Sequence, residues 1–256
     1  MVIVQDIIDY MATLCPAELK QDWDNVGLNC GSRSAEVKKV LIALDPFEHV
    51  CKEAADWGAD LLLTHHPLIF RPIPMVTDDA AITRGLITLV QNGISHFCAH
   101  TNLDSAEGGV NDVLAETLGL VNISPITENH WNMLRCGEVP QQNLSDFLKT
   151  VKEKLHAPGL RYCDAGKPVC KVAVGGGACS GGLFDALQAG CDTFVTADIK
   201  YNEFWDACEQ GLNLIDAGHF YTENPVVAVL AKKIAAAFPE IEVKISKNHA
   251  DCMKYY

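Results

Sequence analysis

Apolar positions recur along the chain with two periods. From Ile3 to Leu14 they fall at Ile3, Ile7, Ile8, Met11 and Leu14, the spacing of an amphipathic helix, and Pro16 lies just past its end. Val40-Leu41-Ile42-Ala43-Leu44-Asp45 predicts a strand, His49 to Trp57 a helix ending at Gly58, and Leu61-Leu62-Leu63-Thr64 a second strand. That order at that spacing predicts a parallel pair joined by a crossover helix. A helix follows over Ile82 to Gln91, closed by Asn92-Gly93, and a third strand over Ile94 to Ala99 runs straight into His100-Thr101-Asn102-Leu103-Asp104. Val110 to Leu118 makes a further helix, capped by Gly119. The pattern is less regular from Val121 to Pro168, where an amphipathic helix at Leu144 to Leu155 is the clearest element. A strand at Val172-Ala173-Val174 then opens into the glycine-rich stretch from Gly175 to Gly182 and a helix through Leu187.

The two halves repeat one another. Gly58-Ala59-Asp60-Leu61-Leu62-Leu63-Thr64 matches Gly190-Cys191-Asp192-Thr193-Phe194-Val195-Thr196, with Gly, Asp and Thr identical. Gly93 to Ala99 before His100 resembles Gly211 to Gly218 before His219, and His100-x-x-x-Asp104 parallels His219-x-x-x-Glu223. A single internal repeat of this size implies two related α/β lobes and not a solenoid. The expected division is a first lobe over residues 1–122 and a second over 123–256, with an irregular linking segment at 123–168.

Composition narrows the function classes. The chain has 256 residues, 48% hydrophobic and 21% charged, which is the balance of a folded globular protein. Its net charge of −13 opposes binding to a phosphate backbone, and no Lys/Arg-rich run offsets it. The first residues lack a basic leader and no apolar run approaches a membrane span, so no membrane association and a cytoplasmic location are expected. Eleven cysteines occur at irregular spacings without a C-x-x-C pair, which fits neither a zinc ribbon nor a disulfide framework. Cys30, Cys51, Cys98, Cys136 and Cys191 sit among apolar or small residues and read as small core hydrophobes.

The candidate chemistry lies at the strand ends. Leu61-Leu62-Leu63-Thr64 runs into His65-His66, stopped by Pro67, and the carboxyl ends of strands in α/β proteins open into ligand crevices. The repeat puts Asp104, His219 and Glu223 at equivalent ends. Two lobes facing each other across a pseudo-two-fold would bring these together with His65 and His66. Three imidazoles and two carboxylates suit a dinuclear metal site with positions left open for water. Taken singly, each of these residues reads better as a capping acid or a satisfied core histidine; the matched positions are what favour metal. Asp22-Trp23-Asp24-Asn25-Val26-Gly27 reads as an ordered loop, with Asp24 and Asn25 as candidate cleft residues. The glycine stretch 175–182 occurs in the strand-loop-helix context that cradles phosphate, but it has neither G-x-G-x-x-G nor a Walker lysine, and a tight turn explains it equally well.

Thr64-His65-His66-Pro67-Leu68, His100-Thr101-Asn102-Leu103-Asp104 and Ala217-Gly218-His219-Phe220-Tyr221-Thr222-Glu223 together resemble the Nif-three-like family, whose bacterial members carry the label of type-two GTP cyclohydrolase I homologues. The likeness extends over nearly the whole chain, including Trp23-Asp24-Asn25-Val26-Gly27 and Thr196-Ala197-Asp198-Ile199-Lys200-Tyr201. It implies two three-layer α/β/α lobes about a central metal cleft. It also implies a dinuclear site of His65, His66, Asp104, His219 and Glu223, and a ring-shaped homohexamer. His100 falls where the family tends to have a histidine and is expected to face the substrate or orient a ligand from outside the metal shell. The chain departs from its relatives at Ala197, where many have glycine, at Asn202, where many have histidine, and over Glu128 to Gly137, which lacks their glycine-rich pattern. None of these touches the five ligands.

The function expected first is a metal-dependent hydrolase of a small polar or nucleotide-like metabolite. Two divalent ions per chain (zinc, iron, manganese or nickel) are the expected cofactors, and His100 the proton carrier. The alternative is a non-catalytic metal carrier or a metal-stabilised scaffold. A nucleotide module built on the glycine stretch ranks last.

Overall fold

The computed structural model describes residues 1–127 and 132–256. The chain forms a mixed α/β fold that divides into two compact units, one of residues 1–106 and 227–251, the other of residues 107–226 and 252–256.

In the first unit, strands Lys39–Ala43, Leu61–Thr64 and Ser95–Cys98 pair in parallel, and Glu242–Ile245 adds in parallel beside Lys39–Ala43. The Gly27–Cys30 strand closes the other edge antiparallel to Ser95–Cys98. Leu61, Leu62 and Leu63 are all fully buried, as expected for a strand covered on both faces. One face carries Leu41, Ala43 and Leu62 against Val50, Cys51 and Ala54 of the Glu48–Trp57 helix and Leu86 and Leu89 of the Ala81–Gln91 helix. Gly58 ends the first of these helices with φ of 70°, a left-handed turn that glycine adopts without strain.

In the second unit, strands Val169–Val174, Thr193–Thr196 and Asn213–Asp216 are parallel. Arg135–Gln142 and Val121–Pro125 extend one edge antiparallel, and Arg161–Cys163 the other. Here alternation along the strands separates two cores. Val172, Val174, Val195 and Ile215 face the Val110–Thr117 and Leu144–Leu155 helices, through Leu114, Phe147 and Val151. Ala173, Phe194 and Leu214 face the opposite layer, through Leu183, Ala186 and Ala207. A three-layer α/β/α unit follows directly from that period of two.

The predicted helices and strands as far as Leu118 fall within a residue or two of their observed bounds, and Leu144–Leu155 matches end to end. The division of the chain runs differently from the expected 1–122 and 123–256. The Val110–Thr117 helix and the Val121–Pro125 strand pack into the second unit, and the Glu242–Ile245 strand returns to the first. The stretch 123–168, expected as irregular linking chain around the Leu144–Leu155 helix, also supplies the end of the Val121–Pro125 strand and the strands Arg135–Gln142 and Arg161–Cys163 to the second sheet. Of the expected departure at Glu128 to Gly137, residues 128–131 lie outside the described residues.

All eleven cysteines lie among the described residues, and none forms a disulfide. Burial pushes the Cys51 and Cys98 thiols up to about 12, so both stay protonated and serve as core hydrophobes. Cys30 is half-buried and not fully enclosed. Among the described residues no helix is long and apolar enough to cross a membrane.

Candidate metal centre

In the first unit the Leu61–Thr64 strand ends where the chain must turn, and the His66 amide donates to the Leu44 carbonyl at 2.9 Å, holding the turn on the neighbouring strand. The Thr64 hydroxyl donates to the His66 carbonyl at 2.6 Å and so accepts from Nε2 of His96 at 2.8 Å. His96 is fully enclosed, and burial pushes its pKa down to about 3, so it stands behind the turn as a neutral hydrogen-bond donor. The turn projects both histidines. His65 is completely buried and its Nδ1 lies 2.8 Å from the Ala99 carbonyl. A carbonyl only accepts, so Nδ1 carries a proton and Nε2 is the ring atom turned away from that carbonyl.

The same logic fixes the other two rings. His66 Nδ1 donates to Asp45 Oδ1 at 2.7 Å, and His100 Nδ1 to Asp24 Oδ1 at 2.7 Å. Asp24 also accepts from the Thr101 amide at 3.0 Å and the Thr101 hydroxyl at 2.5 Å. Burial alone would raise its pKa, but these donors from His100 and Thr101 hold its carboxyl down at about 2. The ring centroids of His65, His66 and His100 lie 4.8 to 5.4 Å apart, and their ligand atoms fall within 4.8 Å of one another, a group that could hold a metal ion. Asp104, on the short helix Thr101–Ser105, brings Oδ1 to 3.6 Å from His65 Nε2.

In the second unit the Asn213–Asp216 strand leads through Gly218, φ 85°, into the five-residue helix His219–Glu223. A spacing of four on that helix stacks the two side chains, and His219 Nε2 lies 3.1 Å from Glu223 Oε2. His219 Nδ1 donates to Asp198 Oδ2 at 2.7 Å, and Asp198 itself is held at a left-handed φ of 53°. Burial opposes a charged His219, yet the Glu223 and Asp198 carboxylates overcome it and raise its pKa to about 11. A divalent ion would take the place of that proton.

The glycine stretch supports this helix. The Gly177 amide donates to the Thr222 hydroxyl at 2.9 Å, and that of Gly176 to the Asn111 side chain at 2.6 Å. The Gly175 amide donates to the Val195 carbonyl at 3.0 Å, and that of Cys179 back to the Gly177 carbonyl at 3.0 Å. These N–H groups are therefore occupied within the fold and not offered to a phosphate. Gly177 has φ of 64°, and a Cβ there would overlap Glu223 Oε1 and meet His219 Nε2 at 3.0 Å. The glycine is needed because the Glu223 and His219 side chains occupy the space a Cβ would take.

His65, His66, His100 and Asp104 are thus assembled in the first unit, and His219 and Glu223 in the second. Asp24, expected as a cleft residue, is the partner of His100. Sequence reasoning passed over Asp45, Asp198 and His96 as site residues. Asp45 closes a predicted strand, and Asp198 stands in the repeat opposite His66, which were the available signals.

The fold and the site define an α/β protein with histidines and carboxylates at strand ends, in groups that could hold a metal ion. Comparison with known proteins then gives the family. The model of the family described as Duf34/NIF3 (NGG1p interacting factor 3) matches residues 2–251, and the chain belongs to that family. It is 35% identical over 260 residues to a "GTP cyclohydrolase 1 type 2 homolog" of Clostridium perfringens, covering 98% of this chain and 99% of that one. Among solved structures, a Bacillus cereus protein related to NIF3 superposes with a TM-score of 0.90 at 25% identity, over 100% of both chains. Staphylococcus aureus protein SA1388 does so with a TM-score of 0.91 at 27% identity, over 100% of this chain and 99% of that one.

Proposed function

We propose that the chain binds two divalent metal ions through His65, His66, Asp104, His219 and Glu223, and is a hydrolase of a small polar or nucleotide-like metabolite. The observation that carries the reading is the common set of the imidazoles. In His65, His66 and His219 alike, Nδ1 is held by a carbonyl or carboxylate 2.7 to 2.8 Å away, so Nε2 is the ring atom an ion would take. That is the outer support metal-ligating histidines characteristically have, and it fixes ring orientation as well as tautomer. Each unit also sets a carboxylate beside its imidazole, Asp104 in one and Glu223 in the other. Mixed N and O donors suit zinc, iron, manganese or nickel.

When bound, the ions would supply Lewis acidity and an acidified water. His100 moves the proton. Its Nδ1–H is anchored on Asp24, which stays ionised and balances the imidazolium formed when Nε2 takes a proton. The relatives' name, GTP cyclohydrolase 1 type 2 homolog, supports a nucleotide-like substrate by analogy alone. A ring of six copies, which the resemblance read in the sequence implies, is part of the same proposal.

Elemental analysis of untagged protein tests the reading. About two metals per chain are expected, falling in both His66→Ala and Glu223→Ala, whereas His100→Ala should keep its metal and lose turnover. Metal-free protein that cannot be loaded would refute the centre. Full loading with no turnover across phosphoester and cyclic amidine substrates would leave a metal carrier instead.

A further inference from the structure

Two aromatic side chains stand uncovered beside the histidine group. Trp23 is 60% exposed and Phe70 41% exposed. A single exposed aromatic ring needs no explanation, but these two belong to one cluster with a site histidine. The Trp23 and Phe70 centroids lie 5.9 Å apart, and each lies 6.1 to 6.2 Å from the ring of His100, all at steep interplanar angles.

The rings are held in place without being buried. Next to Trp23, the carboxylate of Asp24 is enclosed and bonded to His100 and Thr101, as above. Asn25 donates through its amide to Asp24 at 2.8 Å and through Nδ2 to the Ile69 carbonyl at 2.5 Å, tying the Trp23 loop to the Phe70 loop. The Ile69 amide donates in turn to Asn29 Oδ1 at 3.0 Å. The backbone beside each ring is therefore pinned by polar bonds, and the apolar faces are left open within reach of the proton carrier. Rigid loops that hold aromatic faces outward next to a reactive imidazole are built to take a flat partner.

We propose that Trp23 and Phe70 form the substrate-binding wall of the site and select a metabolite carrying a flat, π-rich ring, which stacks there while the group to be cleaved lies at His100. Stacking tolerates any base because each has a π-face, so the wall sets the class of substrate and not its identity. The use made of the ring rests on the hydrolase reading; the binding does not.

Calorimetry on metal-loaded protein tests the wall with guanosine and uridine as flat probes and ribose as the same sugar without a ring. At least one nucleoside should bind about tenfold or more tightly than ribose, and Trp23→Ala and Phe70→Ala should each weaken it about tenfold. Both positions are exposed, so the variants should keep wild-type melting curves and metal content. Equal binding of ribose and nucleosides, or no binding of either nucleoside, would overturn the proposal. So would variants that bind nucleoside normally, and a change of oligomeric mass in such variants would assign the rings to contact between copies. Nucleoside binding that needs both rings, in protein without turnover, would sustain the wall while refuting the hydrolase reading.

Discussion

Asp45 and Asp198 do the same work on different rungs of the repeat. Each holds the Nδ1 proton of a donor histidine at 2.7 Å, Asp45 that of His66 and Asp198 that of His219. Asp45→Asn keeps an acceptor oxygen but loses the charge that makes the imidazole a stronger donor. Metal affinity is expected to fall by about tenfold or more with little change in the melting curve, as read by chelator competition. The histidine pair itself was legible because a buried strand ending in two imidazoles is an unusual string. Its supporting carboxylate was not, since Asp45 lies 21 residues earlier and meets His66 only when the two strands pair. In the repeat, Thr64-His65-His66 aligns with Thr196-Ala197-Asp198. The position that gives a ligand candidate in one copy, His66, gives in the other, Asp198, the holder of a different candidate, His219, which equivalence between copies alone does not disclose. The matched acid of the repeat, by contrast, is structural. Asp60 accepts from the Lys38 and Lys39 amides at 2.8 and 2.9 Å, and Asp192 from those of Cys170 and Lys171 at 3.0 and 2.8 Å. Each starts the preceding strand in register.

At the scale of elements, the strands and helices were readable from period because each buries one or both faces in the regular way. The glycine stretch was the ambiguous element, since the same sequence serves a phosphate cradle and a tight turn. Contact decides it, and contact with Glu223, far along the chain from Gly177, is not written locally. The turn exists to let the His219–Glu223 helix approach the sheet. Gly177→Ala combines a left-handed φ with a Cβ inside the Glu223 carboxylate, and each is a recognised source of destabilisation. A loss of about 2–4 kcal/mol is expected in urea unfolding, together with reduced metal content. A phosphate cradle would predict lost nucleotide binding with metal content intact.

Over the whole molecule, the acidic excess of 13 charges favours cations in general, and the proposed centre would turn that bias into folding free energy. A ligand at about a hundred times its dissociation constant stabilises the native state by about 2.7 kcal/mol. In a chain of this size each kcal/mol moves the melting temperature by roughly 2–4 °C. Stripping the metal is therefore expected to lower the melting temperature by about 5–11 °C, and restoring it to recover the loss. The variants sharpen the test, because the proposed donors are divided between the two units. If His65, His66, Asp104, His219 and Glu223 serve one dinuclear centre, His66→Ala and Glu223→Ala should each abolish most of the metal-dependent shift. If each unit held its own ion, each variant would lose about half, and the double variant would add the two losses. A calorimetric scan of the four proteins with and without chelator separates these outcomes, since one centre makes the two substitutions redundant and two centres make them additive.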